Sequence, residues 1–300
     1  MSAESAFIAA LQALATHPAA RGLADDCAVL EVGPESESLT LILTHDMMVE
    51  GVHWLPGQDP ADVAWKLLAT NLSDLASKGA EPIGILLGYT LAADNTRFAE
   101  GLGEALRHFN VPLLGGDTVR NPGPQTLGLT ALGRATCRPV PSRCGARSGD
   151  GVWITGPVGA AMLGFEALSA GDTLADTSAY RRPTPRLAEG RALAPLVTAM
   201  MDVSDGLLLD ASRMAEASGV TIALDPAAIP LPAGLPSARS REALSWGDDY
   251  ELLFTLPAGA RPPCPAHRIG AVLNRGAESL WAPLLLGGTV PEGPLGYEHG

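Results

Sequence analysis

Nine aspartates fall in six short motifs spread along the chain. They are Asp25 and Asp26 in A-D-D-C-A, Asp46 in L-T-H-D, Asp74 in N-L-S-D-L, Asp117 in G-G-D-T, Asp202 with Asp205 in D-V-S-D-G, and Asp248 with Asp249 in W-G-D-D-Y-E-L-L-F. Most stand where an apolar run meets Gly, Ser, Thr or Asn, the strand and helix ends at which loops gather into a site. Carboxylates brought together in one cleft disfavour each other's ionised form unless cations bind there. Mg2+ takes oxygen ligands and commonly joins one or two carboxylates to substrate phosphates. The pattern points to metal-assisted phosphate chemistry. With Lys66 and Lys78 the only lysines, phosphate must be met by arginine, backbone N–H groups or metal.

A net charge of −13 argues against a nucleic-acid partner, because no basic stripe exists to neutralise a phosphate backbone. Most of that acidity is expected on a solvated surface. The four cysteines (Cys27, Cys137, Cys144, Cys264) show no CxxC spacing and are expected as free thiols in a reducing compartment. Phe7, Ile8, Leu11 and Leu14 form an amphipathic N-terminal stretch with no basic region ahead of it, which reads as a first helix and not a signal peptide. No apolar run approaches the roughly 18 residues that span a bilayer. The expectation is a cytoplasmic protein.

At 300 residues the chain is long enough for two units of similar size. Strand-like runs at 27–32 and 39–44 flank a polar turn at 33–38. The apolar stripe of Val63, Leu67, Leu68, Leu72 and Leu75 predicts a helix over 62–78. A strand at 82–91, a helix at 96–109, a short strand at 111–114 running into a G-G-D-T turn, and a strand at 127–135 complete the first half. The segment 138–150 is rich in Pro, Arg and Gly and reads as a linker. Beyond it come strands at 152–155, 200–203, 221–224, 250–255 and 268–272, with helices after Gly159 and over 187–196 and 205–218. The expected fold is α/β with mixed sheets, divided into an N-terminal unit, 1–137, and a C-terminal unit, 138–300.

Each motif admits a structural reading beside the functional one. Thr44 and Asp46 share one side of an extended segment and suit a metal, or they satisfy the backbone of a turn. His53, beside Trp54 in a loop, is structural or a ligand contact. Asn71 and Asp74 share a helix face at i, i+3, and Asp74 can instead pair with Lys78 on the surface at i, i+4. The glycines of G-G-D-T let backbone approach a phosphate, or simply make a tight turn. In D-V-S-D-G, Ser204 or Asp205 can cap the following helix, but capping explains one polar residue and not three, so function is favoured there. That helix start could also receive phosphate on its N–H groups. No P-loop, HExxH or Ser-His-Asp pattern is present.

Read together and in order, D-D-C-A-V-L, L-T-H-D-M-M-V-E-G-V-H-W, N-L-S-D-L-A-S-K-G-A-E-P, G-G-D-T, G-A-R-S-G-D, R-R-P-T-P-R, M-D-V-S-D-G-L and W-G-D-D-Y-E-L-L-F resemble the thiamine-monophosphate kinases over nearly the whole chain. That family lies in the superfamily of aminoimidazole ribotide synthetase. The resemblance implies a two-domain aminoimidazole ribotide synthetase-like architecture and a homodimer formed through the N-terminal unit. It implies γ-phosphoryl transfer from ATP, as co-substrate, to thiamine monophosphate, assisted by several Mg2+ ions. The positions it carries over as metal ligands are Asp26, Thr44, His45, Asp46, Asp74, Asp117, Asp202 and Asp205. Gly116, Asp117, Arg147 and Ser204 correspond to nucleotide contacts, and His53, Asp248 and Tyr297 to thiamine phosphate contacts. No residue is assigned as a general base. Ala24, His45, Trp246 and Asp248 depart from the family's usual Gly, Thr, Gly and Glu. The competing readings are a sibling ATP-dependent enzyme of the superfamily and a non-catalytic nucleotide or thiamine-phosphate binding paralogue.

Overall fold

The computed structural model describes residues 3–34, 39–276 and 281–298. The turn expected at 33–38 therefore falls largely outside the described residues. The fold is α/β and is built on two mixed sheets. The first contains β1 (Ala28–Val32), β2 (Leu39–Val49), β3 (Ala80–Thr90), β4 (Leu113–Val119) and β5 (Thr126–Ala135), in the order β1-β2-β5-β3-β4. All its pairings are antiparallel except β3 with β4. Three helices go with it: α1 (Ala3–Gln12), α2 (Pro60–Ser77) and α3 (Asn95–Phe109), the last being the crossover between the two parallel strands.

The second sheet contains β6 (Gly151–Ile154), β7 (Ala199–Asp202), β8 (Thr221–Leu224), β9 (Leu252–Leu256), β10 (His267–Leu273) and β11 (Leu284–Leu286), in the order β11-β8-β10-β6-β9-β7. Its helices are α4 (Ala160–Ser169), α5 (Ser178–Arg181), α6 (Leu187–Leu193), α7 (Leu207–Ser218) and α8 (Ser240–Ala243). The short elements α5, α8 and β11 carry too few residues to show a period and escaped the sequence reading.

Helix α2 explains most of the architecture. Asp59 accepts the N–H of Ala61 at 3.0 Å, Pro60 opens the first turn, and Gly79 with φ +60 ends it. Its leucines Leu67, Leu68, Leu72 and Leu75 are fully buried in the core beneath the first sheet. Each such side chain contributes about 1.5–3 kcal/mol on leaving water. The helix is nonetheless buried nearly all round, because its other side packs against α6 and β7 of the second unit. There a row of polar residues at four-residue spacing, Asp62, Lys66, Thr70, Asp74 and Lys78, winds along the seam between the two sheets.

Two local expectations differ from the structure. The G-G-D-T segment is not a turn: it forms most of β4, paired in parallel register with Leu86–Thr90. Gly116 serves that pairing, since a Cβ there would sit 2.1 Å from the Leu87 carbonyl oxygen. Helix α7 starts at Leu207, and neither Ser204 nor Asp205 caps it. Instead Asp210, inside the helix, reaches back to accept the backbone N–H groups of Ser204 at 3.2 Å and Asp205 at 3.1 Å.

The closeness of α2 to α6 can be tested directly. A Cβ on Gly190 would lie 2.0 Å from the Ala76 carbonyl oxygen. Gly190→Ala is expected to lower the unfolding free energy by about 1–3 kcal/mol, as for an overpacked contact, and so the urea midpoint. An unchanged midpoint in urea would show that the seam yields there.

Candidate active site

Thr70 and Asp74 of this polar row face a cavity of about 460 Å³ between the two units. One end is acidic. Asp26 precedes β1, Asp46 lies on β2, Asp74 on α2, Asp202 at the end of β7, Asp205 in the turn before α7 and Asp210 within α7; all six line the cavity. Period-two alternation sends Thr44 and Asp46 to the α2 side of β2, where the Thr44 hydroxyl donates to Asp74 and the Asp46 N–H donates to Asn71 Oδ1 at 3.1 Å. Ser73 donates to Asp202 at 2.6 Å across the seam.

Cations are few. Lys78 is fully buried and donates to Asp25 at 2.6 Å and Asp26 at 2.7 Å, so the surface pair with Asp74 does not form. Arg143 lines the cavity and bonds Asp26, while its buried Nε–H has no partner. Arg213 bridges Asp205 and Asp210.

This distribution splits the carboxyls into two groups. Burial would raise the Asp26 carboxyl, but Lys78 and Arg143 outweigh it and hold the group well below the usual range. Elsewhere burial outweighs the nearby cations, Lys78 for Asp202 and Arg213 for Asp210. Burial, aided by Asp26 and Asp205, pushes Asp46 up to about 6. Burial and the charge of Asp26 push Asp202 up to about 7, and burial with Asp205 pushes Asp210 up to about 8. Burial and three neighbouring aspartates raise Asp74 strongly as well.

The other end of the cavity is aromatic. Phe165 lies 5.3 Å from Tyr180 and 5.2 Å from Trp246, centroid to centroid. Tyr297 returns along the start of α7, its N–H donating to the Asp205 carbonyl at 2.9 Å. His53 accepts the Val49 N–H on Nδ1 at 3.0 Å, which leaves the proton of the neutral ring on Nε2. Asp248 stands among them, bonded to Lys66 and Tyr250.

Of the positions singled out in the sequence, Asp26, Asp46, His53, Asp74, Asp202, Ser204, Asp205, Asp248 and Tyr297 share this one cavity, with Thr44 bonded to Asp74. Thr44 does not itself line it, and four others lie away from it. The His45 side chain alternates to the opposite face of β2 and bonds Thr130 at 2.9 Å. Gly116 and Asp117 lie on β4, an exposed edge strand. Arg147 is exposed, its backbone N–H donating to Asp150. Arg143, four residues earlier in the same segment, lines the cavity. The N–H groups of Ser204 and Asp205, just before the helix start, are taken by Asp210. Among the described residues no three Asp, Glu, His or Cys side chains form a group that could hold a metal ion. Asp46, Asp74 and Asp202 offer carboxylate oxygens, the donor type that a hard cation takes.

Residues 24–135 match the family described as AIR synthase related protein, N-terminal domain, and residues 147–280 match its C-terminal domain. Fold and cavity thus define a two-part member of that class. Thiamine-monophosphate kinase from Escherichia coli K12 is 38% identical over 255 residues, covering 79% of this chain and 76% of the relative. The Caulobacter vibrioides enzyme of the same name is 40% identical over 257 residues, 80% of this chain and 72% of the relative. Among solved structures, AaThiL complexed with AMPPCP and TMP superposes with a TM-score of 0.84 at 27% identity, over 98% of this chain and 96% of that one. The chain belongs to the thiamine-monophosphate kinase family, and it is an enzyme.

Asp46, Asp202 and Asp210 hold their protons more tightly folded than unfolded. The stability they contribute is present below about pH 4 and is lost as pH rises through the window from 6 to 8. Asp26, pulled downward, works oppositely, but only below about pH 4. The thermal midpoint of chelator-treated protein is therefore expected to fall between pH 5 and pH 8.5. A midpoint that rises across that interval would contradict the assignment.

Proposed function

We propose that this enzyme transfers the γ-phosphoryl group of ATP to the phosphate of thiamine monophosphate, giving thiamine diphosphate and ADP. The observation that carries this reading is the two-ended cavity. Six aspartates and two arginines, Arg143 with an unpartnered N–H, stand at one end, and an aromatic wall with a carboxylate stands at the other. A nucleotide triphosphate and a flat aromatic cation bearing a phosphate would meet in its middle. The named relatives, and the neighbour solved with AMPPCP and TMP, support the same pairing.

Arg143 would hold nucleotide phosphate, since its Nε–H is desolvated and unpaired. Ser204, which lines the same cavity, would be a further nucleotide contact. His53, with its proton on Nε2, Asp248 and Tyr297 would bind the thiamine phosphate. Mg2+ ions held by Asp26, Asp46, Asp74, Asp202 and Asp205 would neutralise the two anions and favour in-line transfer. Thr44 fixes Asp74, and His45 has only its backbone to offer the cavity. A phosphate monoester with a second pKa of about 6 is already a nucleophile near neutrality, so no general base is needed. In this reading residues 1–137 supply most of the metal ligands and residues 138–300 close the cleft.

We further propose that two copies associate through the outer face of the first sheet. Met47, Leu86 and Leu114 are 56%, 47% and 55% exposed there, on the side opposite α2. Asp117 shares this face and would lie at the junction of the two copies. Leu86→Glu is expected to convert a dimer to a monomer, as read by light scattering after size-exclusion chromatography. A wild-type monomer would end the proposal.

The activity test is incubation of purified protein with ATP, Mg2+ and either thiamine or thiamine monophosphate, followed by chromatography of the products. Conversion of the monophosphate to the diphosphate is expected. Binding of ATP without product would favour the non-catalytic reading. Arg143→Ala is expected to raise KM for ATP about tenfold or more, the worth of a charged hydrogen bond. Arg147→Ala should stay within about twofold of wild type, as exposed groups away from a site usually do. The reverse order would restore Arg147 to the site.

A further inference from the structure

Lys66 has no assigned part in the reaction, yet it is one of only two lysines and its side chain is 2% exposed. Its Nζ donates to Asp248 Oδ2 at 2.6 Å and to the His53 carbonyl at 3.0 Å, and lies 3.9 Å from the centroid of the Tyr180 ring. Lys66 thus touches three of the groups that form the aromatic end of the cavity, although it rises from α2 in the first unit.

The backbone around Asp248 shows why such a contact is needed. Asp248 and Tyr250 have φ of +59 and +52, in the left-handed region that side chains disfavour, and Gly247 before them has φ +96. Conformations of this kind persist only where the surroundings over-determine them, and they cluster at functional sites. Here the Asp248 N–H donates to the Ser204 carbonyl at 2.7 Å and the Tyr250 N–H to the Val203 carbonyl at 2.8 Å. The backbone is thereby tied to the Asp202–Asp205 turn, while the carboxylate is held from both sides, by Lys66 on Oδ2 and by the Tyr250 hydroxyl on Oδ1 at 2.8 Å. A carboxylate has about four lone-pair sites, so one donor per oxygen leaves capacity directed elsewhere. The Asp248 side chain is 28% exposed, and it lines the cavity.

We propose that Lys66 is a positioning residue: its ammonium sets the direction of the Asp248 carboxylate and the seat of the His53 loop, and so governs affinity for the organic phosphate and not for the nucleotide. This rests on the thiamine monophosphate reading above. A merely structural role predicts something else. Other ties cross the seam, including Arg181 and Arg182 to Asp62 and Ser73 to Asp202. If Lys66 only stapled the units, its loss would lower stability and touch both substrates alike.

The experiment is a double-mutant cycle in the full-length protein with Lys66→Met, Asp248→Asn and the pair, measuring KM for thiamine monophosphate and for ATP separately. Lys66→Met is expected to raise KM for thiamine monophosphate about tenfold or more, as when one partner of a buried charged contact is removed. KM for ATP should stay within about twofold, and most of the first effect should vanish in the Asp248→Asn background. Equal rises in both constants, or the same rise with and without Asp248, would overturn the proposal. Should Lys66→Met fail to fold, Lys66→Arg keeps the charge but changes its reach and must still raise KM for the organic phosphate selectively; an unchanged value overturns the proposal. Wild-type protein inactive on thiamine monophosphate refutes the proposed function and this inference with it. Active wild type with unaffected Lys66 variants refutes this inference alone.

Discussion

The burial of charged side chains along one helix governs this structure. On α2 a polar row runs through what is otherwise a leucine-rich core element, and a charge removed from water is costly unless it finds a partner. Each member of the row meets that demand differently. Asp62 takes two arginines, Lys66 takes Asp248, Asp74 takes the Thr44 hydroxyl, and Lys78 takes Asp25 and Asp26. Since the partners of Asp62 and Lys66 lie in the second unit, satisfying the helix also brings the two sheets together. The cavity is what remains where the row is only partly matched.

That partial matching gives the cavity its chemistry. Near Lys78 and Arg143 the acids are compensated and stay ionised. Toward Asp46, Asp74 and Asp202 they are not, and burial holds them far from their ordinary behaviour. A fold that keeps such groups close together gives up stability in the empty state, as functional sites commonly do. Asp210 shows the same economy at smaller scale. It lies fully buried in α7 to hold the Ser204–Asp205 backbone in place, where a side chain within that turn could have capped the helix from outside.

Long periodic elements were legible in the sequence: the stripe of α2, the alternation of β2 and the Gly219 stop of α7 all reappear within a few residues. Glycine was the misleading signal. In G-G-D-T it suggested a turn, but there it allows two parallel strands to approach, and which use applies depends on a neighbour that the local sequence does not reveal. Arg143 and Arg147 lie in one segment without periodicity, so nothing local says which points inward. The placement of the two lysines carried a further signal. Both lysines fall within or just past one apolar helix, a multiple of four apart, and each is buried against carboxylates from elsewhere in the chain.

The tight fit at Gly190 against Ala76, together with the Lys66–Asp248 tie, bears on how such a protein can change over time. Neither half presents a self-sufficient surface to the other. Grafting the first half of this chain onto the second half of a distant relative would leave buried ammonium or carboxylate groups facing strangers. Variation at positions 62, 66 and 190 should therefore travel with variation at 181, 182, 248 and 76, so that the two halves are inherited as a matched set.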